Sequence, residues 1–143
     1  MEIAQLIAGR ASSDVVTCEV DMPVSRVIAM LAEKRIGAIP VMRAGQVAGI
    51  FSERDVVYRM ADEGAAFLER TVGEVMTAPA ITVETRTTVL EALGLMTRRR
   101  IRHLPVVENG HMRGFISIGD LVKSRIDEVS HEAEALREYI QTA

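Results

Sequence analysis

An α+β fold of two pseudo-symmetric units, each running strand, helix, strand, strand, helix, is what this sequence predicts. Three observations carry the prediction. The first is an internal repeat: with a shift of 65 residues, Val16 to Val57 aligns with Ile81 to Val122 without a gap, and twelve of the 42 pairs are identical. Average residue usage would give roughly two or three. Any site in one unit therefore has a twin in the other. The second is a change of apolar period within each unit, from β-branched runs to 3–4 spacing and back. The third is composition: 143 residues, 48% hydrophobic and 26% charged, with only 3% aromatic and no Trp, suit one globular module with an aliphatic core.

Taken in order, Ile3, Leu6 and Ile7 form the apolar face of a short opening helix ended near Gly9, and Ala11 to Asp14 is a polar loop. Val15 to Val20 is strand-like. Met22-Pro23 introduces a helix with Val24, Val27, Ile28 and Leu31 on one face, which Gly37 ends. A hairpin spans Ala38 to Ser52, and Asp55 opens a helix through Val56, Val57 and Met60. The first unit with its lead-in is 1–61, and 62–70 is a connector with Gly64 as its flexible point.

The second unit, 71–143, repeats this plan. Thr71 to Met76 plays the part of the opening helix, Ala78-Pro79 is a turn, and Ala80 to Val83 is the first strand. Val89, Leu93 and Met96 face inward on the next helix. Arg98, Arg99 and Arg100 close it as a solvated end that complements the helix dipole, in preference to a binding site. Asn109-Gly110 marks a two-residue hairpin turn between the last strands. The final helix runs far beyond its counterpart, with Ile126, Val129, Ala133, Leu136 and Ile140 as an apolar stripe. Packing back onto the same chain and a homodimer seam account for that stripe equally well.

Seventeen basic against twenty acidic side chains give a net charge of −3, which argues against nucleic acid or an anionic membrane as partner. Cys18 is the only cysteine, so an intrachain disulfide and a Cys-rich metal site are excluded. No apolar run approaches a membrane span and the start has no signal-peptide pattern, so a cytoplasmic setting is expected.

No nucleophile, base and acid stand in a catalytic pattern. Ser52 and Ser117 sit in Gly-x-x-Ser-x-x-Asp, not Gly-x-Ser-x-Gly, and His103, His111 and His131 lack metal-ligand spacing. What recurs is Gly49, Ser52 and Asp55 against Gly114, Ser117 and Asp120, where a strand gives way to a helix. Backbone N–H groups at such a junction suit a sugar phosphate. The aspartate can serve as a helix N-cap with no ligand, or accept from the vicinal hydroxyls of a ribose. Its appearance twice in the same setting favours the ribose.

On these residues, and on Thr71-Val72-Gly73-Glu74-Val75-Met76-Thr77 ahead of the second unit, the chain resembles a tandem pair of cystathionine-β-synthase-type (CBS) domains, a Bateman module. The resemblance implies units packed through their sheets, a non-catalytic regulatory role, and two clefts for an adenosine-containing ligand. AMP leads, with ADP, ATP, NAD and S-adenosylmethionine as alternatives, and no metal is required. It implies that Asp55 and Asp120 hold ribose hydroxyls, with Ser52, Ser117, Ile118 and Gly119 beside them. Ala38-Ile39-Pro40 and His103-Leu104-Pro105, with Val16, Thr77, Ala80 and Ile81, would line adenine. Arg102 and His103 match phosphate-contacting positions; Gly37-Ala38 replaces them in the first unit, where Arg54 stands in. A homodimer is expected; a structural homodimerisation or interaction module without a physiological ligand is the alternative role, and the regulated partner protein is unidentified.

Overall fold

The computed structural model describes residues 1–142 and shows an α+β chain with two sheets. Its elements are α1 (Ile3–Ile7), β1 (Cys18–Glu19), α2 (Val24–Lys34), β2 (Ala38–Arg43), β3 (Gln46–Ser52), α3 (Glu53–Glu63), α4 (Val72–Val75), α5 (Val89–Arg99), β4 (His103–Glu108), β5 (His111–Ser117) and α6 (Ile118–Thr142). In the first sheet β1 runs parallel to β2, and β2 antiparallel to β3. The second sheet is the β4–β5 hairpin, with a single parallel bridge, Val83 to Val106, where β1 has its counterpart. The strands expected over Val15–Val20 and Ala80–Val83 thus shrink to two residues and one bridge, because only those positions meet a partner backbone.

Both hairpins turn through two residues of positive φ, Ala44 and Gly45 at 51° and 78°, Asn109 and Gly110 at 50° and 78°. Such turns match the right-handed strand twist, which is why Asn-Gly and its relatives mark them. Each hairpin also carries a register shift at the same place, between Val41 and Met42 and between Val106 and Val107. Helix α2 stops before the expected Gly37. Arg35 adopts φ 52°, and the Ile36 N–H then reaches back to the Leu31 carbonyl at 3.1 Å. Arg100 ends α5 likewise, with Ile101 N–H on the Met96 carbonyl at 3.1 Å. A left-handed residue with a six-to-one bond satisfies carbonyls that the helix end leaves open.

Two aliphatic cores result, and each takes its lead-in helix from the other end of the repeat. Ile3 and Ile7 pack with Val83, Val89, Ala92, Met96, Leu104, Val106, Ile116 and Leu121. Val72 and Val75 pack with Val24, Val27, Leu31, Ile39, Val41, Phe51 and Phe67. Sequence order places Ile3 in the first unit, whereas its burial is completed by the second. The connector is held by Phe67, fully buried with its ring centroid 6.3 Å from that of Phe51. Burying one such side chain contributes about 1.5–3 kcal/mol. Strands β3 and β5 lie against each other between the units.

On α6, Leu121 and Ser124 are buried, but Ile126, Val129, Leu136, Tyr139 and Ile140 are exposed, Leu136 by 60%. The stripe therefore does not pack back onto its own chain.

Candidate functional site

The repeated Ser and Asp form a capping box at each junction. Ser52 is the N-cap of α3, its backbone extended at φ −131° and ψ 166°. Its Oγ accepts from the Asp55 N–H at 3.4 Å, and Asp55 Oδ2 accepts from the Ser52 N–H at 2.9 Å. The serine, not the aspartate, occupies the cap, and the aspartate sits three residues on, where a carboxylate reaches back to the cap N–H. Ser117 and Asp120 repeat this geometry at 3.1 and 2.9 Å. In each case a carboxylate oxygen is left over. Asp55 Oδ1 accepts from the Thr77 hydroxyl at 3.0 Å, and Asp120 receives the Arg10 guanidinium, Nη2 to Oδ1 at 3.1 Å and Nη1 to Oδ2 at 3.4 Å.

Gly49 allows the first arrangement. A Cβ there would stand 2.7 Å from both Met76 Sδ and the Thr77 carbonyl oxygen, so only glycine lets the second lead-in lie against β3. Backbone bonds between Ile50 and Thr77, 3.0 and 2.9 Å, fix that contact and aim the Thr77 hydroxyl at Asp55.

A cavity of about 710 Å³ opens beside Asp55. Of the expected residues it gathers Ala38, Ser52, Arg54, Asp55, Thr77, Ala80, Ile81, Arg102 and His103, from both units. The other expected residues lie elsewhere. Ile39 and Leu104 are fully buried core residues, because alternate residues of a strand face opposite ways. Pro40 and Pro105 are buried in the sheets, where the Pro105 carbonyl accepts from Val83 N–H at 3.0 Å. Val16 packs half-buried on the first core. Ser117, Ile118, Gly119 and Asp120 stand at the second junction, outside this cavity.

Arg35, Ile36, Gly37, Ile50, Glu53, Pro79, Arg99 and Ile101 also line the cavity, and sequence reasoning missed them. Arg35 to Gly37 directly precede the expected Ala38, a signal that was available. Arg99 belongs to the arginine run read as a solvated helix end; it is exposed and also faces the cavity.

The cavity rim is basic, with Arg35, Arg54, Arg99 and Arg102 against Glu53 and Asp55. Arg54 Nη1 donates to the Arg100 carbonyl at 2.8 Å, so part of its guanidinium is committed to the end of α5. His103 stacks on Phe115, centroids 5.5 Å apart and planes 15° from parallel. Burial depresses its imidazole pKa below the ordinary 6.5, against the pull of Asp120 and Glu53, so it is neutral at pH 7. Among the described residues no cluster of three or more His, Cys, Asp or Glu is placed to hold a metal ion, and no helix is long and apolar enough to cross a membrane.

The family model of the CBS domain matches residues 5–62 and 72–127. The mitochondrial CBS domain-containing protein CBSX3 of Arabidopsis thaliana is 36% identical over 129 residues, covering 87% of this chain and 63% of CBSX3, so this chain spans less than two thirds of that relative. Inosine-5'-monophosphate dehydrogenase of Mycobacterium tuberculosis is 36% identical over 115 residues, 78% of this chain but only 21% of the dehydrogenase. A crystal structure of a CBS-domain-containing protein from Agrobacterium tumefaciens is 39% identical, with a TM-score of 0.82 over 87% of this chain and 99% of its own. With a repeat, two capping boxes and two sheets that correspond unit for unit, the chain belongs to the CBS-domain family and carries two CBS units in tandem.

Proposed function

We propose that this chain is a non-catalytic regulatory module that binds an adenine nucleotide, AMP foremost, in the cavity beside Asp55. The observation that carries the reading is the carboxylate itself. Asp55 lines a cavity of about 710 Å³, within the usual range for small-molecule sites, between an apolar wall of Ala38, Ile50, Ala80 and Ile81 and an arginine rim. Those are the three surfaces that a base, a ribose and a phosphate need. The family supports the reading too. CBSX2, solved in complex with AMP, shares the fold at 20% identity, with a TM-score of 0.76 over 88% of this chain and 96% of its own. ADP, ATP, NAD and S-adenosylmethionine present the same adenosine to the same wall, and occupancy would be passed to a regulated partner protein.

A thermal-shift panel of these ligands tests the reading. A ligand that binds only the folded chain raises its melting temperature in proportion to the logarithm of concentration over Kd. AMP should raise it, and GMP should do so less. Equal shifts for both would count against adenine recognition.

The exposed stripe on α6 favours a second reading, a homodimerisation module in which assembly is the role. Leu136→Asp with Ile140→Asp should then convert a dimer into a monomer by light scattering. A monomeric unmodified chain at tens of micromolar would exclude it.

A further inference from the structure

The two lead-ins differ in length, and the difference falls on the second junction. Backbone bonds establish which lead-in residues correspond. Ile3 N–H bonds the Thr87 carbonyl at 2.9 Å as Val72 N–H bonds that of Met22 at 2.8 Å, and Ala4 bonds Thr85 as Gly73 bonds Val20, at 2.8 and 2.9 Å. A Cβ on Gly114 would meet Ile7, as one on Gly49 would meet Met76. These pairs are 69 residues apart, whereas from Val16 onward the repeat is 65. The first lead-in therefore holds 69 − 65 = 4 extra residues between Ile7 and Val16.

Directly after Met76 comes Thr77, whose hydroxyl meets Asp55 at 3.0 Å. Directly after Ile7 comes Ala8, with nothing to offer Asp120. The longer segment supplies Arg10 in its place, 110 residues from Asp120 along the chain, and its two Nη groups take both carboxylate oxygens. Ser117 N–H takes a further position on Oδ2.

The two partners differ in chemistry. A threonine hydroxyl can rotate and accept, so a ribose hydroxyl donating to Asp55 can share the position with Thr77. A guanidinium only donates and cannot turn to accept; with Nη2 on Oδ1, and Nη1 and the Ser117 N–H on Oδ2, a single acceptor position is left on Asp120, so a pair of vicinal ribose hydroxyls gains the carboxylate only by displacing Arg10. We infer that Arg10 is a built-in occupant of the second ribose position, so that the two clefts are unequal and the Asp55 cleft fills first. This inference rests on the proposed reading of the carboxylates as ribose acceptors. Arg10 is 47% exposed and Asp120 29%, so the pair weakens the second cleft without sealing it.

Calorimetric titration with AMP tests the inference. The unmodified chain should show two unequal sites, the tighter one lost in Asp55→Ala. Arg10→Ala should tighten the weaker site by about fivefold, the effect of losing one partly exposed ion pair as competitor, and leave the tighter site unchanged. Arg10→Gln should act in the same direction, and adding Asp120→Ala to Arg10→Ala should abolish the gain. A second site that is unchanged or weakened in both Arg10 variants, with the first intact, overturns the inference alone; weakening would mean that Arg10 grips the phosphate. Absence of AMP binding in every variant overturns the proposed function and the inference with it.

Discussion

The Thr77 hydroxyl donates to Asp55 Oδ1 at 3.0 Å, so the lead-in of the second unit orients the carboxylate of the first. That bond, together with the Ser52 N–H on Oδ2, fixes the plane of the carboxyl group before any ligand arrives. Preorganisation of this kind lowers the ordering cost of binding. Thr77→Val keeps the shape and removes the hydroxyl. It should weaken AMP by about fivefold, on the scale of one net hydrogen bond, and lower the stability of the free chain by no more than about 1 kcal/mol. Calorimetry beside a melting curve reads both quantities.

Arg102 stands on the cavity rim with its side chain exposed and joined to the protein by no side-chain hydrogen bond or ion pair among the described residues. A guanidinium strengthens binding only where a phosphate offers oxygen acceptors. Arg102→Ala should therefore weaken AMP by roughly ten-fold or more and leave adenosine almost unaffected, on the scale of a charge-assisted bond. Equal losses for AMP and adenosine would place Arg102 against the nucleoside.

Two side chains give the fold a defined pH dependence. Burial alone would raise the Asp120 carboxyl, but the Arg10 hydrogen bond, the Ser117 N–H and the Arg10 charge outweigh it and hold the pKa below 3.8. Its contribution to stability is therefore full above pH 3.8 and is lost as pH falls through the lowered folded value. His103, depressed by burial from 6.5, acts in the same sense in a higher window: the unfolded chain takes up its proton first as pH drops below 6.5. Melting curves should show Arg10→Ala flattening the profile below pH 3.8 and His103→Gln flattening it just below pH 6.5, each leaving the other window alone.

Phe67 lies in the stretch between the units yet is fully buried against Phe51. Phe67→Ala should cost about 3–5 kcal/mol, as for a large aromatic removed from a packed core. Replacing its exposed neighbour Ala66 by Ser should change stability by less than about 0.5 kcal/mol in the same urea titration.

The repeat, both hairpins and the two Ser and Asp junctions are legible in the sequence because each is local: Asn109-Gly110 announces its turn, and Ser52 and Asp55 are three residues apart. What the sequence does not show is which surface covers which. Periodicity marks Ile3 and Ile7 as apolar but says nothing of their burial in the second unit's core. The alignment begins at Val16, so the extra residues that carry Arg10 to Asp120 lie outside it. Arg35 and Arg100 end their helices in left-handed geometry that their residue type does not advertise. Strand alternation explains why Ala38 reaches the cavity while Ile39 enters the core, and the long α6 stripe proves exposed once the body beneath it is seen to end near Ser124.

The central claim is that Asp55 reads a ribose in an adenine-nucleotide site, and calorimetry with AMP and 2'-deoxy-AMP on the unmodified chain and Asp55→Ala tests it most directly. A charged hydrogen bond is worth about 1.5–3 kcal/mol, so AMP should bind the unmodified chain ten- to a hundred-fold more tightly than it binds Asp55→Ala. The deoxynucleotide should bind more weakly than AMP to the unmodified chain, and the difference between the two should shrink in the variant. Loss of the capping box should also lower the stability of Asp55→Ala by about 1 kcal/mol. A variant that melts earlier but binds AMP with unchanged affinity would show that Asp55 only caps a helix, and would contradict the account.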